Sequence, residues 1–236
     1  MKIVCDGVVH STDLELADPE MLLNLDSSLA TYGLQDKYDS SGNGRDLITG
    51  NDFTEAGMLL VDDAEHGADT GIIETDEMTF AICINVDNIK TSGRIFSNFI
   101  PGVAPFSGIQ LRIEPDGSLI FQVASGIVGS VEFDPLYSVA AGGAVGGWTR
   151  FTATVSNSEV TITRAAGTRY AAKVKKRAKS PESIFLNGAP SKEQNKGLPG
   201  VMGVIAFYDR VLTVDEQEQA RTKLKEIMRT RGHFVN

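Results

Sequence analysis

The sequence predicts an all-β fold: a jelly-roll sandwich of two antiparallel sheets, followed by one C-terminal α-helix. Three observations support this prediction. Several short segments alternate apolar and polar residues, as half-buried strands do. Turn-forming residues separate these segments, and only the last segment has a strong helical pattern. With 236 residues, 42% of them hydrophobic, the chain is long enough to bury one sizeable core as a single domain.

Charge and composition exclude some classes of function. The formal net charge of −9 argues against a nucleic-acid partner, because binding phosphates requires a basic surface that displaces their counterions. No stretch approaches the roughly 20 apolar residues of a membrane-spanning helix, so we expect no membrane insertion. Residues 1–7 have too short an apolar run for a signal peptide, and we therefore expect synthesis in a cytosol. Cys5 and Cys83 are expected to be free buried thiols.

The first elements are short. Residues 2–9 are a strand candidate. Asp18 followed by Pro19 predicts the start of a brief helix that would run through Leu25. A turn-rich segment covers residues 37–47. We divide the chain into an N-terminal arm with a short helix (1–36), the sandwich (37–212) and the C-terminal helix (213–236), all within one compact domain.

The middle of the chain predicts strands and hairpins. Residues 78–86 place apolar side chains at every second position, which indicates a strand with one buried face. Two hairpins are predicted, around a Glu-Pro-Asp-Gly turn at 114–117 and a Ser-Asn-Ser-Glu turn at 156–159. The predicted strands are residues 94–97, 108–113, 118–123, 131–133, 148–155, 160–163, 183–186 and 204–208.

The C-terminal helix is predicted from about residue 214 to 231. Thr213 with Glu216 is a capping-box pattern, in which each side chain bonds the backbone amide of the other residue. Gly232 stands where a C-terminal cap belongs. The apolar residues that share one helix face are Ala220, Leu224, Ile227 and Met228.

Parts of the sequence resemble LamG-like domains of the concanavalin A-like lectin/glucanase superfamily. An apolar strand followed by Tyr-Asp-Arg-x-Leu-Thr-x-x-Glu, at 204–216, resembles the closing segment of these domains. The Asp-x-Ser-Gly-Asn-Gly string at 39–44 and the strand-opening Trp148 are also similar. The family's Tyr-x-Asp-Gly is absent at 164–167, where Arg-Ala-Ala-Gly stands. The resemblance covers roughly residues 38–216 and implies a concanavalin A-like jelly roll, but it does not identify a ligand.

No catalytic residues are predicted. Relatives of this fold that hydrolyse glycosides commonly use Glu-x-Asp-x-x-Glu, and the nearest string, at 114–119, lacks the third acid and is typical of a turn. His10, His66 and His233 neighbour no nucleophile motif and form no metal pair at helical spacing. We predict a non-enzymatic protein, with a glycoside hydrolase as the less favoured alternative.

Calcium is the candidate cofactor, because the resemblance implies a calcium ion near a loop edge in many such domains. Oxygen ligands at alternating positions resemble the first half of a calcium loop, although Gly50 replaces the bidentate Glu of an EF-hand. The same pattern is typical of an Asx-type turn, and both interpretations stay open. The loop's candidate ligands are Asp39, Ser41, Asn43 and Asp46.

Ligand contacts are predicted at three aromatic residues. Trp148 either stacks on a sugar or lies in the core, and Tyr137 and Tyr170 are further ligand candidates in loops. The basic run at 173–179 is either solvated or docks onto an acidic neighbour.

The resemblance, combined with the absence of an export signal, implies a bacteriophage virion protein. In this prediction the chain is a decoration, tail or baseplate component, localised in the virion, with lectin-like adhesive capacity. Its partners would be other virion proteins or its own subunits, with a cell-surface glycan as a candidate ligand. A free carbohydrate-binding lectin module is the alternative.

Overall fold

The described chain of the computed structural model covers residues 18–86, 89–100, 104–143, 146–190 and 196–235. Within these residues the chain forms fourteen strands, a short 3-10 helix at Pro19–Leu23 and one α-helix, α1, at Val214–Thr230. No helix of this part of the chain is long and apolar enough to cross a membrane. The strands are β1 (Ser28–Tyr32), β2 (Phe53–Thr54), β3 (Gly57–Leu60), β4 (Ala68–Ile73), β5 (Met78–Val86), β6 (Gly93–Ser97), β7 (Ile109–Ile113), β8 (Leu119–Ala124), β9 (Leu136–Ala141), β10 (Trp148–Val155), β11 (Glu159–Arg164), β12 (Arg169–Lys173), β13 (Ser183–Leu186) and β14 (Gly200–Tyr208).

The strands form two antiparallel sheets, which confirms the predicted fold class. In the described residues, sheet A has the strand order β12-β11-β10-β5-β14-β3-β2, with β1 paired to β14. Sheet B has the order β4-β13-β6-β7-β8-β9. Because β1 pairs with β14, a segment that the predicted division assigned to the N-terminal arm contributes a strand to sheet A.

Aromatic rings fill the space between the sheets. Phe80 of sheet A stacks on Phe96 of sheet B with ring centroids 4.3 Å apart, and it meets Phe121 and Phe207 edge-on at 5.9 and 5.5 Å. All four side chains are fully buried. Full burial of such a side chain contributes about 1.5–3 kcal/mol, so this cluster is a principal source of stability.

Helix α1 packs on the outer face of β5 and β10 in sheet A, and its apolar side chains also meet residues of β14. The predicted apolar face, Ala220, Leu224, Ile227 and Met228, is buried there. A Cβ atom on Gly203 of β14 would lie 2.6 Å from the Met228 sulfur, so the close approach of helix and sheet requires glycine at this position.

Both ends of α1 have the predicted caps. The Glu216 amide donates to Thr213 Oγ1 at 3.3 Å, and the Thr213 amide donates to Glu216 Oε2 at 2.9 Å. Gly232 has φ +81°, and the His233 amide donates to the Met228 carbonyl at 2.9 Å, which is a Schellman arrangement.

Some local predictions are corrected by the structure. Residues 131–133 form no strand: the Phe133 amide bonds Ser130 Oγ in a turn, and Val131 is fully exposed. The next strand is β9 instead. Cys83 is buried and free, as predicted. The strand predicted at 2–9, Cys5 and His10 lie outside the described residues.

Candidate functional site

The three predicted ligand-binding aromatic residues do not lie together on one surface. Trp148 is 8% exposed, and its ring lies 5.1 Å from that of His233, so it packs against the segment after α1 and offers no open face to a sugar. Tyr137 of β9 is buried in the sandwich core. Tyr170 of β12 is half-buried against the same core. The structure therefore favours the core interpretation of Trp148, and it places Tyr137 and Tyr170 on strands, where loops were predicted.

The predicted calcium loop is a tightly bonded turn. Both Asp39 carboxylate oxygens accept hydrogen bonds, from the amides of Thr31, Ser41 and Arg45 and from the Ser41 hydroxyl. Burial opposes ionisation of Asp39, but these hydrogen bonds outweigh it and hold the pKa below its usual value. Asp46 Oδ1 accepts from the Asp39 amide at 3.1 Å. These oxygens have defined partners in the fold itself.

The outer face of sheet B carries a polar ladder across its central strands. Gln110 of β7 donates to Gln122 of β8 at 2.8 Å, and Gln122 donates to Ser138 of β9 at 3.0 Å. Arg94 of β6 donates to Gln110 Oε1 at 3.2 Å. These groups are largely satisfied by one another, so the ladder stabilises the sheet more than it offers unpaired groups to a ligand.

A polar groove is the better candidate. It lies between the start of α1 and the outer face of β10, β11 and β12, and its volume is about 380 Å³. Ligand pockets commonly have about 300–1,000 Å³ and a few convergent polar groups. The polar residues that line it are Glu77, Thr154, Ser156, Ser158, Glu159, Thr161, Arg169, Thr213 and Gln217.

Four buried threonines lie on the outer face of sheet A beside α1. Thr154 and Thr161 face each other on β10 and β11, with hydroxyl oxygens 2.6 Å apart, and they lie at the floor of the polar groove. Thr152 and Thr163 are the next facing pair along the same strands. Threonine suits these positions because its branched side chain favours strands while its hydroxyl keeps both donor and acceptor capacity.

Charged side chains flank this floor. Arg169 of β12 and Glu159 of β11 form an ion pair, with side chains 49% and 39% exposed. Glu77 precedes β5 and is exposed. The polar groove therefore combines hydroxyls, a carboxamide, carboxylates and a guanidinium, which together can bind a hydroxyl-rich ligand by hydrogen bonds.

Two buried polar residues of α1 were not predicted from the sequence: Gln217 in the wall of the groove and Arg221 just beyond it. Gln217 donates to the Leu212 carbonyl at 2.8 Å and accepts from Thr152 Oγ1 at 3.1 Å. Arg221, one turn further, donates to the same Thr152 oxygen at 2.9 Å. The sequence contains a signal for the burial of these two residues, because positions 217 and 221 share a helix face with Leu224 and Met228.

Arg221 and Arg150 are cations in poorly solvated surroundings. Burial lowers the pKa of Arg221; Glu218 acts against this shift, and the charge of Arg150 adds to it. Burial also lowers the pKa of Arg150, while Cys83 acts in the opposite direction. Both shifts follow from the cost of holding a charge away from water.

The residues that the structure describes contain no group of three or more His, Cys, Asp or Glu side chains placed to hold a metal ion. The carboxylates that line the polar groove belong to Glu77 and Glu159. Its chemistry is therefore that of hydrogen bonding and charge, with two carboxylates whose role an activity assay can test.

Comparison with known proteins identifies a fold. No model of a known family and no curated protein matches the sequence. The binding domain of botulinum neurotoxin serotype G is similar with a TM-score of 0.63 and 13% sequence identity, over 84% of this chain and 51% of that one. The serotype D ligand binding domain in complex with N-acetylneuraminic acid has a TM-score of 0.62 and 12% identity, over 84% and 51%. A Trypanosoma rangeli sialidase has a TM-score of 0.62 and 9% identity, over 87% and 34%.

This chain spans about half the length of the toxin domains and about a third of the sialidase chain. At these identities the likeness shows the fold alone. The chain has the jelly-roll, lectin-like fold of these structures, and its function has to be argued from its own residues.

Proposed function

We propose that this protein is a non-enzymatic, lectin-like binding module that binds a hydroxyl-rich ligand, a glycan, in the polar groove. The observation that carries the proposal is the groove itself, a concavity of about 380 Å³ with hydroxyls on its floor and hydrogen-bonding or charged side chains on its walls. Sugar hydroxyls both donate and accept hydrogen bonds, and these side chains supply partners for both roles.

The similar structures give this proposal limited support. One of them is a toxin domain in complex with N-acetylneuraminic acid, a sugar. The proposal for this chain differs in detail from the sequence prediction, because the buried Trp148 and Tyr137 play no direct part in it. The ligand contacts come from Ser158, Glu159 and Arg169, where hydrogen bonds replace aromatic stacking.

A glycan array tests this function with a matched pair of variants. Glu159→Ala/Arg169→Ala removes the ion pair beside the polar groove, and removing both partners leaves no unpaired charge. We expect glycan affinity to fall about tenfold or more, since each lost charge-assisted hydrogen bond is worth about 1.5–3 kcal/mol. The control is Arg112→Ala/Glu114→Ala, an Arg–Glu pair that belongs to sheet B.

The control variant should bind like the wild type. Two results contradict the proposed function: no glycan bound by the wild-type protein, or equal losses in the two double variants.

The alternative of a glycoside hydrolase rests on the two carboxylates in the groove. A wild-type protein that releases reducing ends from a bound glycan, and loses this activity in Glu77→Gln or Glu159→Gln, would establish the enzyme and refute the binding module. We expect no release by any of the three proteins.

Virion membership and calcium binding remain proposals from the sequence. The similar structures are toxin and sialidase domains, so they do not support the phage assignment. The mass of the protein in solution, measured by light scattering with and without a chelator, addresses both proposals. A chelator-sensitive mass or stability would support calcium at the Asp39 loop, and a stable ring or trimer would support an assembly component.

A further inference from the structure

Two arginines beyond the Gln217 end of the polar groove have donors without a partner among the residues that the structure describes. Arg221 is 4% exposed, and its Nη1 donates to Thr152 Oγ1. Arg150 is half-buried, and its Nη1 donates to the Val235 carbonyl at 3.1 Å. The Nε atoms of both residues are buried without a hydrogen-bond partner among the residues described.

Two other arginines with buried side chains, Arg177 and Arg231, each have a carboxylate partner. Arg177 and Glu74 form an ion pair whose side chains are 1% and 0% exposed. Arg231 pairs with Glu20 at 3.3 Å, with side chains 6% and 9% exposed. In the described parts of the chain, neither Arg150 nor Arg221 has a carboxylate within ion-pair distance. A buried guanidinium without a counter-ion is costly, so this pair of like charges needs an explanation.

The two arginines are connected to the polar groove through Thr152. Gln217 lines the groove and accepts a hydrogen bond from the Thr152 hydroxyl, which in turn accepts one from Arg221. Arg150 lies two residues before Thr152 on β10, and its side chain points to the same face. The two guanidinium groups therefore lie beside Thr152, which is next along β10 to the groove-lining Thr154.

We propose that Arg150 and Arg221 form an anion subsite beside the polar groove, beyond its Gln217 end, which takes the oxyanion group of an acidic sugar, a carboxylate or a sulfate. That the ligand is a sugar rests on the proposed function, whereas its negative charge is inferred from the two arginines alone. A guanidinium presents its N–H donors in a planar fork that matches such oxyanions. A neutral sugar would leave the like charges uncompensated.

Sulfate alone tests the subsite without any sugar. Sodium sulfate is titrated at constant ionic strength against sodium chloride, and thermal unfolding is recorded. We expect sulfate to raise the midpoint of the wild type, because a ligand that binds only the folded state stabilises it. Arg221→Met and Arg150→Met should each remove this rise. Arg229→Met, an exposed position on the same helix, is the matched control and should keep it.

The two methionine variants are independent, so the test survives if one of them fails to fold. The subsite is refuted if the wild type shows no sulfate effect beyond ionic strength, or if Arg221→Met and Arg150→Met both retain the full effect.

A glycan array then separates this inference from the proposed function. We expect wild-type affinity for uronic-acid or sulfated glycans to exceed that for their neutral counterparts by about tenfold, and Arg221→Met to lose this preference while it still binds the neutral glycans. Uronic-acid and sulfated probes distinguish the two sources of the oxyanion. Equal binding of neutral and acidic glycans would refute the subsite and leave the proposed function intact. A sulfate effect without any glycan binding would keep the anion subsite and refute its assignment to a sugar.

Discussion

Arg177 is the residue that most changes the interpretation of the basic run at 173–179. Its Nε donates to Glu74 Oε1 at 2.9 Å, and its side chain is almost completely buried. The other Glu74 oxygen accepts from Asn98 Nδ2 and from the Ser180 amide, each at 3.1 Å. The run was expected to be either solvated or a docking surface. The structure shows that at Arg177 it crosses from β12 towards β13 as an anchored segment.

Removal of Arg177 should destabilise the protein strongly. We expect Arg177→Met to lower the free energy of unfolding by about 3–5 kcal/mol, because Glu74 would remain as a buried unpaired charge. Lys179→Met is the control: it removes the pair with Asp76, whose side chains are 43% and 73% exposed, and should cost less than about 1 kcal/mol. Urea denaturation measures both values. Similar losses in the two variants would contradict the anchoring role.

Helix α1 is the element that positions the wall of the polar groove. Thr79 of β5 donates to the Arg210 carbonyl at 2.8 Å and accepts from the Leu212 amide at 2.9 Å, so the segment before the helix is tied to sheet A. Arg210 then holds Glu216 with two hydrogen bonds of 2.8 and 2.7 Å. These contacts fix where α1 starts and therefore where Gln217 meets the threonines.

The stability of this helix start should depend on pH through Glu216. The Arg210 hydrogen bonds and the Thr213 amide lower the pKa of Glu216 from its usual 4.5 to about 2. Because the folded pKa is the lower one, the carboxylate stabilises the folded state above about pH 4.5, and this contribution disappears as the pH falls towards 2. The carboxylate is near the surface, so the full effect is about 1 kcal/mol.

Chemical denaturation between pH 7 and pH 2 measures this effect. We expect Glu216→Gln to be less stable than the wild type near neutral pH and equal to it near pH 2. Glu218→Gln, at an exposed position of the same helix, should show no such convergence. A difference between Glu216→Gln and wild type that stays constant over this range would contradict the role of the carboxylate.

Elements that are marked by a local pattern of apolar and polar residues could be predicted from the sequence. The strands Met78–Val86 and Trp148–Val155 have the predicted bounds because apolar residues at alternate positions mark the face of each strand that enters the core. β4 was missed because a glycine with φ +65° interrupts its pattern. The burial of Trp148 is decided by His233, far along the chain, so no local pattern could show it.

The candidate site was missed for a similar reason. Thr-x-Thr on β10 and on β11 is visible in the sequence, but only the strand register pairs these residues, and only the position of α1 places Thr154 and Thr161 at the floor of a groove. The sequence instead predicted ligand contacts at three aromatic residues and an oxygen-rich calcium loop. In the structure, the predicted ligand contact Tyr137 is a core residue, and the predicted calcium ligand Asp39 stabilises a turn.

At the scale of the whole molecule, the two sheets present different outer faces. Sheet B is spanned by a polar ladder of side chains that bond one another. Sheet A is covered in part by α1, and the uncovered part beside the helix becomes the polar groove. Because the protein has a net charge of −9, its overall electrostatic field opposes the approach of an acidic ligand. Binding of such a ligand would therefore depend on the local positive charges of Arg150 and Arg221.

The location of a bound glycan is the most direct test of this account. Backbone amide shifts of the isotope-labelled protein are recorded while the best array ligand is added. We predict that the shifts change in β10, β11 and the first two turns of α1, and that these changes are lost in Glu159→Ala/Arg169→Ala. Changes confined to β7, β8 and β9 of sheet B, with the α1 amides unaffected, would contradict the assignment of the polar groove as the binding site.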